Sequence, residues 1–274
     1  MVEALAFIPI SAVLSNADRV SPRYISPIAQ REREPLQDHC GIVAAFCEED
    51  IPFFLTGLAG LYQLQTRGYD GAGFYCMTTD KQSFQYKGEG KIVEAFTSEI
   101  VTNYKDTQAS AWIFETRYGT NGATHINNVQ PIIRQHEKTG ETFAVVHNGE
   151  FSNENGLSGG DSSDTVIFTD QLAHSEEVTW DERILKMQKK KGGAWSVAVA
   201  TPEGLYLMRD PQGIRPLSYG KKTDHLTGKT IWLAASETAA LKAMGVEEYF
   251  EVLPDSVIKI SKSGVQKLQK PKQI

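Results

Sequence analysis

The spacing of apolar and polar positions divides this chain of 274 residues at Cys40. Ahead of it, residues 4–14 are apolar, whereas residues 16–37 are polar and charged and include Pro22, Pro27 and Pro35, which interrupt any helix. Glu3 precedes the apolar run and no basic stretch opens the chain, so the run does not read as a secretory signal. Residues 1–39 are read as a leader or propeptide, the alternative being an N-terminal arm packed on the domain. Past Cys40 the pattern tightens. Residues 41–47 form a short apolar run that predicts a buried strand. Pro52 then opens a helix whose apolar positions Phe54, Leu58, Leu61 and Tyr62 share one face, with Gly68 where a helix can stop.

Further strands are expected over residues 72–78 and 83–87 around the turn-prone Thr79-Asp80, over 110–116, and over 143–147, which ends on the turn dipeptide Asn148-Gly149. Thr201-Pro202-Glu203-Gly204 joins 195–200 to 205–209 as a hairpin, and 231–235 and 257–260 complete the strands. Helical spacing covers 165–173, 181–191 before Gly192-Gly193, and 237–244, where Ser236 can cap the start and Gly245 the end. Many strands joined by hairpins, with a few amphipathic helices, predict a single α+β domain built on antiparallel sheets. That domain is expected over residues 40–262, with a polar C-terminal tail over 263–274.

Composition narrows the function classes. The chain is 41% hydrophobic and 23% charged, which suits an ordinary globular protein, and no run approaches the ~18 apolar residues of a membrane span. A net charge of −6 argues against nucleic-acid binding, and the short runs Lys189-Lys190-Lys191 and Lys221-Lys222 read as solvated charge. Three cysteines are too few for a disulfide framework, and six scattered histidines show no metal-ligand spacing, so no metal or cofactor is expected. A reducing, cytoplasmic setting follows from the cysteine usage.

Taken singly, the polar features are ordinary. Cys40 can be a buried small side chain, Arg67-Gly68-Tyr69-Asp70-Gly71 a charged loop, and Asp164 a helix cap. Their order is not ordinary. Cys40-Gly-Ile-Val, Leu64-Gln-Thr-Arg-Gly-Tyr-Asp-Gly-Ala-Gly73, Thr116-Arg-Tyr-Gly-Thr120, Val146-His-Asn-Gly149 and Ser163-Asp164 resemble, in sequence order, the class II glutamine amidotransferases. Asn127-Asn-Val-Gln-Pro131, Arg209-Asp-Pro-Gln-Gly-Ile-Arg-Pro-Leu217 and Ala235-Ser-Glu-Thr-Ala-Ala-Leu241 are similar to the amidophosphoribosyltransferase branch of that family. The likeness runs from Cys40 to about Ile260.

The resemblance implies a four-layer αββα sandwich, two antiparallel sheets flanked by helices, of the N-terminal nucleophile hydrolase kind. It implies that Cys40, freed as a new N-terminus by cleavage after His39, attacks L-glutamine with its own α-amine as base. The ordinary pKa of such an amine, about 7.7–8.0, suits work near neutrality. Asn148 and Gly149 would form the oxyanion hole, Arg117 would clamp the substrate carboxylate, and Asp164 would accept from the substrate ammonium. Arg67, Gly68 and Thr120 would shape the pocket, with Asp70 holding the loop. The family often carries His-Val before the arginine; here Glu115-Thr116 stand there, and Gly119 replaces a serine.

No phosphoribosyltransferase signature follows Ile260, so the ammonia acceptor is expected on a separate synthase partner or a missing C-terminal domain. An oligomer is compatible with this. Two other readings stay open: the glutaminase half of a hexosamine-6-phosphate synthase, and a catalytically silent, uncleaved homologue acting as a glutamine-binding or assembly subunit.

Overall fold

The computed structural model describes residues 40–119, 126–152, 163–190, 192–224 and 227–269. Strand β1 (Gly41–Pro52) shows why the first apolar run is unbroken. Its residues alternate between two apolar layers: Val43, Ala45 and Cys47 enter one, and Ile42, Ala44 and Phe46 enter the other. A strand buried on both faces has no polar side to show.

Around β1 lies a seven-stranded sheet in the order β11-β9-β10-β1-β4-β2-β3. Its other members are β2 (Gly71–Met77), β3 (Ser83–Glu89), β4 (Gln108–Arg117), β9 (Ser218–Thr223), β10 (Thr230–Ala235) and β11 (Tyr249–Glu251). A six-stranded sheet faces it in the order β13-β12-β8-β7-β6-β5. It contains β5 (Ile132–Gln135), β6 (Thr142–Phe151), β7 (Gly193–Thr201), β8 (Gly204–Arg209), β12 (Val257–Ser261) and β13 (Gly264–Gln269). The described pairings are antiparallel.

Helices cover the outer faces. On the first sheet lie α1 (Phe54–Tyr62), α2 (Ile92–Ala95), α3 (Ser98–Tyr104) and α6 (Thr238–Ala243), packed over Phe74, Trp112 and Phe114. On the second lie α4 (Asp164–Ala173) and α5 (Trp180–Lys190), packed over Val145, Trp195 and Val197. The layer between the sheets is lined by Ala44, Ile113, Val146, Ala198 and Leu207. These layers make an αββα sandwich.

Several sequence expectations change. Asn148-Gly149 is not a turn: β6 runs through it to Phe151, with Asn148 opposite Ser196 and Gly149 opposite Trp195. Residues 264–269 are not tail but the edge strand β13, whose register pairs Ile260 with Val265. An exposed edge needs few apolar residues, so its sequence reads as polar. Ser236 does not cap α6; its hydroxyl accepts from the Ile42 amide at 3.0 Å, and Glu237 takes the N-cap position. Pro52 ends β1 instead of opening α1, and Tyr62 is exposed. The leader, residues 1–39, lies outside the described residues.

Candidate active site

The site forms where β1 begins. Cys40 precedes the strand with φ +50 and is buried. Its carbonyl accepts from Arg67 Nε at 3.1 Å, and Arg67 Nη1 meets Glu237 Oε1 at 2.7 Å. The Arg67 guanidinium, 4% exposed, thus ties the Cys40 backbone to the start of α6. Gly68 lies against the backbone of Arg117, where an added Cβ would stand 2.6–2.7 Å from the carbon, nitrogen and oxygen atoms. Only glycine permits that approach. Asp70 Oδ2 accepts from the Gly119 amide at 2.7 Å, which pins the exit of β4.

Alternation along β4 aims the next residues. Trp112 and Phe114 enter the helix-covered layer and Ala111 and Ile113 the layer between sheets, so Glu115 and Arg117 share the side of Ile113. On β6, Ala144 and Val146 face the same inner layer, which places Asn148 there, while His147 turns towards α4. Arg117 and Asn148 therefore face the same inner layer from the two sheets, and Arg117 acts on the Cys40 thiol. Arg117 Nη1 and both amide atoms of Asn148 are buried without hydrogen-bond partners among the described residues. Gly149 has φ +117, and an added Cβ would stand 2.0 Å from the Ala194 carbonyl.

Asp164 opens α4 after Ser163, whose hydroxyl caps the helix. Its Oδ2 accepts from the Phe151 amide at 3.1 Å and its Oδ1 lies 3.7 Å from His147 Nδ1. Thr120 lies outside the described residues.

Three residues matter here that the sequence left without a role. Gln130 extends the pairing of β5 with β6: its amide donates to the His147 carbonyl at 3.1 Å, and its oxygen accepts from the His147 amide at 2.5 Å. His147 Nδ1 lies 3.0 Å from Thr165 Oγ1, and its ring stacks on Phe151 at 4.3 Å. Glu115 is fully buried. The motif around Gln130 was visible; its target, seventeen residues away, was not.

Burial pushes the Cys40 thiol well above its ordinary pKa, and the Glu115 carboxyl adds to this; the Tyr118 backbone amide and Arg117 pull it back. Burial likewise pushes Glu115 up to about 8, against the Cys40 thiol, Arg117 and Lys87, which favour its charged form. Lys87 falls to about 8 by desolvation. Among the described residues no cluster of His, Cys, Asp or Glu could hold a metal.

A glutamine amidotransferase domain profile matches residues 120–243. Amidophosphoribosyltransferase from Homo sapiens is 30% identical over 273 residues, covering 85% of this chain and 50% of that protein. The enzyme of that name from Synechococcus elongatus is 29% identical over 245 residues, covering 84% and 47%. The chain carries a class II glutamine amidotransferase domain. A solved structure supports this: the B. subtilis glutamine phosphoribosylpyrophosphate amidotransferase, bound to ADP and GMP, superposes with TM-score 0.72 at 27% identity, over 86% of this chain and 50% of that one. A class II domain protein from Silicibacter pomeroyi, 14% identical with TM-score 0.50, covers 82% of this chain and 97% of its own, and shares the fold alone. The amidotransferase domain therefore has the N-terminal nucleophile hydrolase fold. The chain spans about half the length of the curated relatives it matches. No helix among the described residues is long and apolar enough to cross a membrane.

Proposed function

We propose that this domain hydrolyses L-glutamine to glutamate and ammonia at Cys40, once cleavage after His39 frees the Cys40 α-amine. The thiol proton passes to that amine as sulfur bonds to the side-chain amide carbon of glutamine. The Asn148 side chain and the Gly149 backbone N–H hold the oxygen that becomes negative; losing one such donor typically costs about 100- to 1,000-fold in rate. Collapse expels ammonia, which takes up the proton, and water then cleaves the γ-glutamyl thioester. Arg117 pairs in a fork with the substrate carboxylate, and Asp164 accepts from its ammonium. Arg67 and Gly68 support the pocket wall. The ammonia passes to a phosphoribosyl acceptor, held by a separate synthase or by a further domain, in purine synthesis.

The observation that carries this reading is the buried Cys40 thiol next to Arg117, whose Nη1, like the Asn148 amide on the same inner layer, has no hydrogen-bond partner among the described residues. Buried polar atoms left unpaired are costly in a structural role and are suited to a ligand. The test is glutamate release from L-glutamine by the full chain, with the mass of the chain measured alongside. Activity that requires a chain beginning at Cys40 and vanishes in Cys40→Ala supports the proposal. Equal activity in Cys40→Ala, or a folded chain that keeps Met1 and is inactive, overturns it.

A further inference from the structure

The start of β1 is held from one dipeptide at the end of β10. The antiparallel pairing that sets Val43 against Ala235 carries on one step to Ser236 and Ile42. There the Ser236 amide donates to the Ile42 carbonyl and its hydroxyl accepts from the Ile42 amide, both at 3.0 Å. Glu237, the next residue, stands at the N-cap of α6, yet its side chain makes no cap hydrogen bond. It turns to Arg67, whose Nη1 meets Oε1 at 2.7 Å while Nε of the same guanidinium donates to the Cys40 carbonyl at 3.1 Å. A guanidinium is planar, so a carboxylate that fixes one edge also aims the other. The segment bearing Arg67 is itself seated: Thr116 Oγ1 donates to the Gly68 carbonyl at 3.1 Å, and a Cβ added at Gly41 would stand 2.7 Å from Leu64 Cβ.

We propose that Glu237 is a positioning residue for Cys40, acting through Arg67. The inference rests on the glutaminase reading and deepens it. In that reaction the nucleophile and the base both belong to residue 40, and cleavage leaves nothing ahead of it to hold the backbone. A chain end frays unless it is tied down. Rotation about the Cα–C bond of Cys40 swings sulfur and nitrogen together, and the direction of the carbonyl fixes that rotation. Glu237 sets the plane of Arg67, Arg67 sets the Cys40 carbonyl, and the carbonyl sets both reacting atoms. A displacement of about 1 Å at such atoms costs on the order of 100-fold in rate. Arg67 is 4% exposed and Glu237 38%, so water can solvate the site of a removed carboxylate and the fold should survive its loss. Water does not hold the guanidinium in one plane.

The test compares the full chain with Glu237→Ala and Glu237→Gln in glutamate release, thermal unfolding and the magnetic resonance signal of the Cys40–Gly41 peptide. Cysteine labelled with carbon-13 at its carbonyl and glycine labelled with nitrogen-15 give that peptide a signal of its own, because Cys47 precedes Glu48 and Cys76 precedes Met77. Positioning predicts that Glu237→Ala lowers kcat by about 10- to 100-fold, holds KM within a few-fold and displaces the peptide signal. Glu237→Gln keeps an oxygen at the same reach and should recover most of both. A carboxylate that only neutralises Arg67 predicts Glu237→Gln as impaired as Glu237→Ala. A contact that only stabilises the fold predicts a lower Tm with kcat, measured well below it, unchanged. Either result overturns the proposal, as does a raised KM at unchanged kcat. If Glu237→Ala does not fold, Glu237→Asp, whose carboxylate is drawn back by one carbon, replaces it, and a kcat equal to that of the wild type overturns the proposal likewise. Absent turnover in a wild type that begins at Cys40 overturns the glutaminase reading instead. The peptide signal then decides, and one that Glu237→Ala leaves in place overturns the clamp.

Discussion

Replacing Gln130 with leucine tests how the β5–β6 edge of the second sheet holds the site. The register that sets Ile132 against Val145 puts residue 130 opposite His147. There the Gln130 side chain, acting in place of backbone, satisfies both the His147 carbonyl at 3.1 Å and its amide at 2.5 Å. Leucine has similar bulk and offers neither group. Each buried polar group left unpaired costs about 1–3 kcal/mol, so the variant should lose roughly 2–5 kcal/mol. For a domain of this size that is a fall in Tm on the order of 5–15 °C. Asn148, the proposed oxyanion donor, follows His147 directly, so kcat should also fall, by about 100-fold if that donor shifts by ~1 Å. Thermal unfolding and glutamate release, measured well below the lowered Tm, read the two effects separately. Arg134→Ala, which breaks a partly exposed pair with Asp170, is the control and should cost about 1 kcal/mol or less. A Gln130→Leu protein as stable as that control refutes the bridging argument.

Three further outcomes follow from the geometry. Gly149→Ala should cost more than ~3 kcal/mol in urea unfolding, since its Cβ would stand 2.0 Å from the Ala194 carbonyl at φ +117; a loss below ~1 kcal/mol contradicts the close approach. Arg117→Lys and Asp164→Ala should each raise KM by about tenfold or more with a smaller effect on kcat, and an unchanged KM removes that residue from substrate binding. Glu115 holds its proton up to about pH 8 when folded against about 4.5 when exposed. The folded chain therefore binds a proton that the unfolded chain has lost, and its stability falls as pH rises from about 4.5 to 8. Glu115→Gln should abolish that slope and be the more stable protein at pH 9, by on the order of a few kcal/mol; parallel stability curves for the two proteins contradict it.

Where a residue's role is set by its neighbours along the chain, the sequence shows it. The double burial of β1, the β7–β8 hairpin and the start of α4 all follow from local spacing. Short edge strands do not: β5 has four residues and β13 is largely polar, because one side of each needs no partner. The dipeptide Asn148-Gly149 suits a two-residue hairpin turn and equally a strand kinked at a positive φ, and only the pairing with β7 separates the two. For the proposed site, motif order singled out Cys40, Arg117, Asn148 and Asp164. The partners of Arg67 lie 27 and 170 residues away, and no periodicity reports such distances. Glu115 read as a departure from a motif; only the strand register sets it opposite Ile42, two residues from Cys40.

Trapping the covalent intermediate tests the central claim most directly. The full chain is mixed with L-glutamine, quenched in acid within one turnover, and digested for mass measurement of its cysteine peptides. Cys40 should carry a γ-glutamyl group on a peptide that begins at Cys40, and Cys40→Ala should carry none. Turnover of glutamine with Cys40 unmodified, or with the glutamyl group on Cys47 or Cys76, contradicts the account.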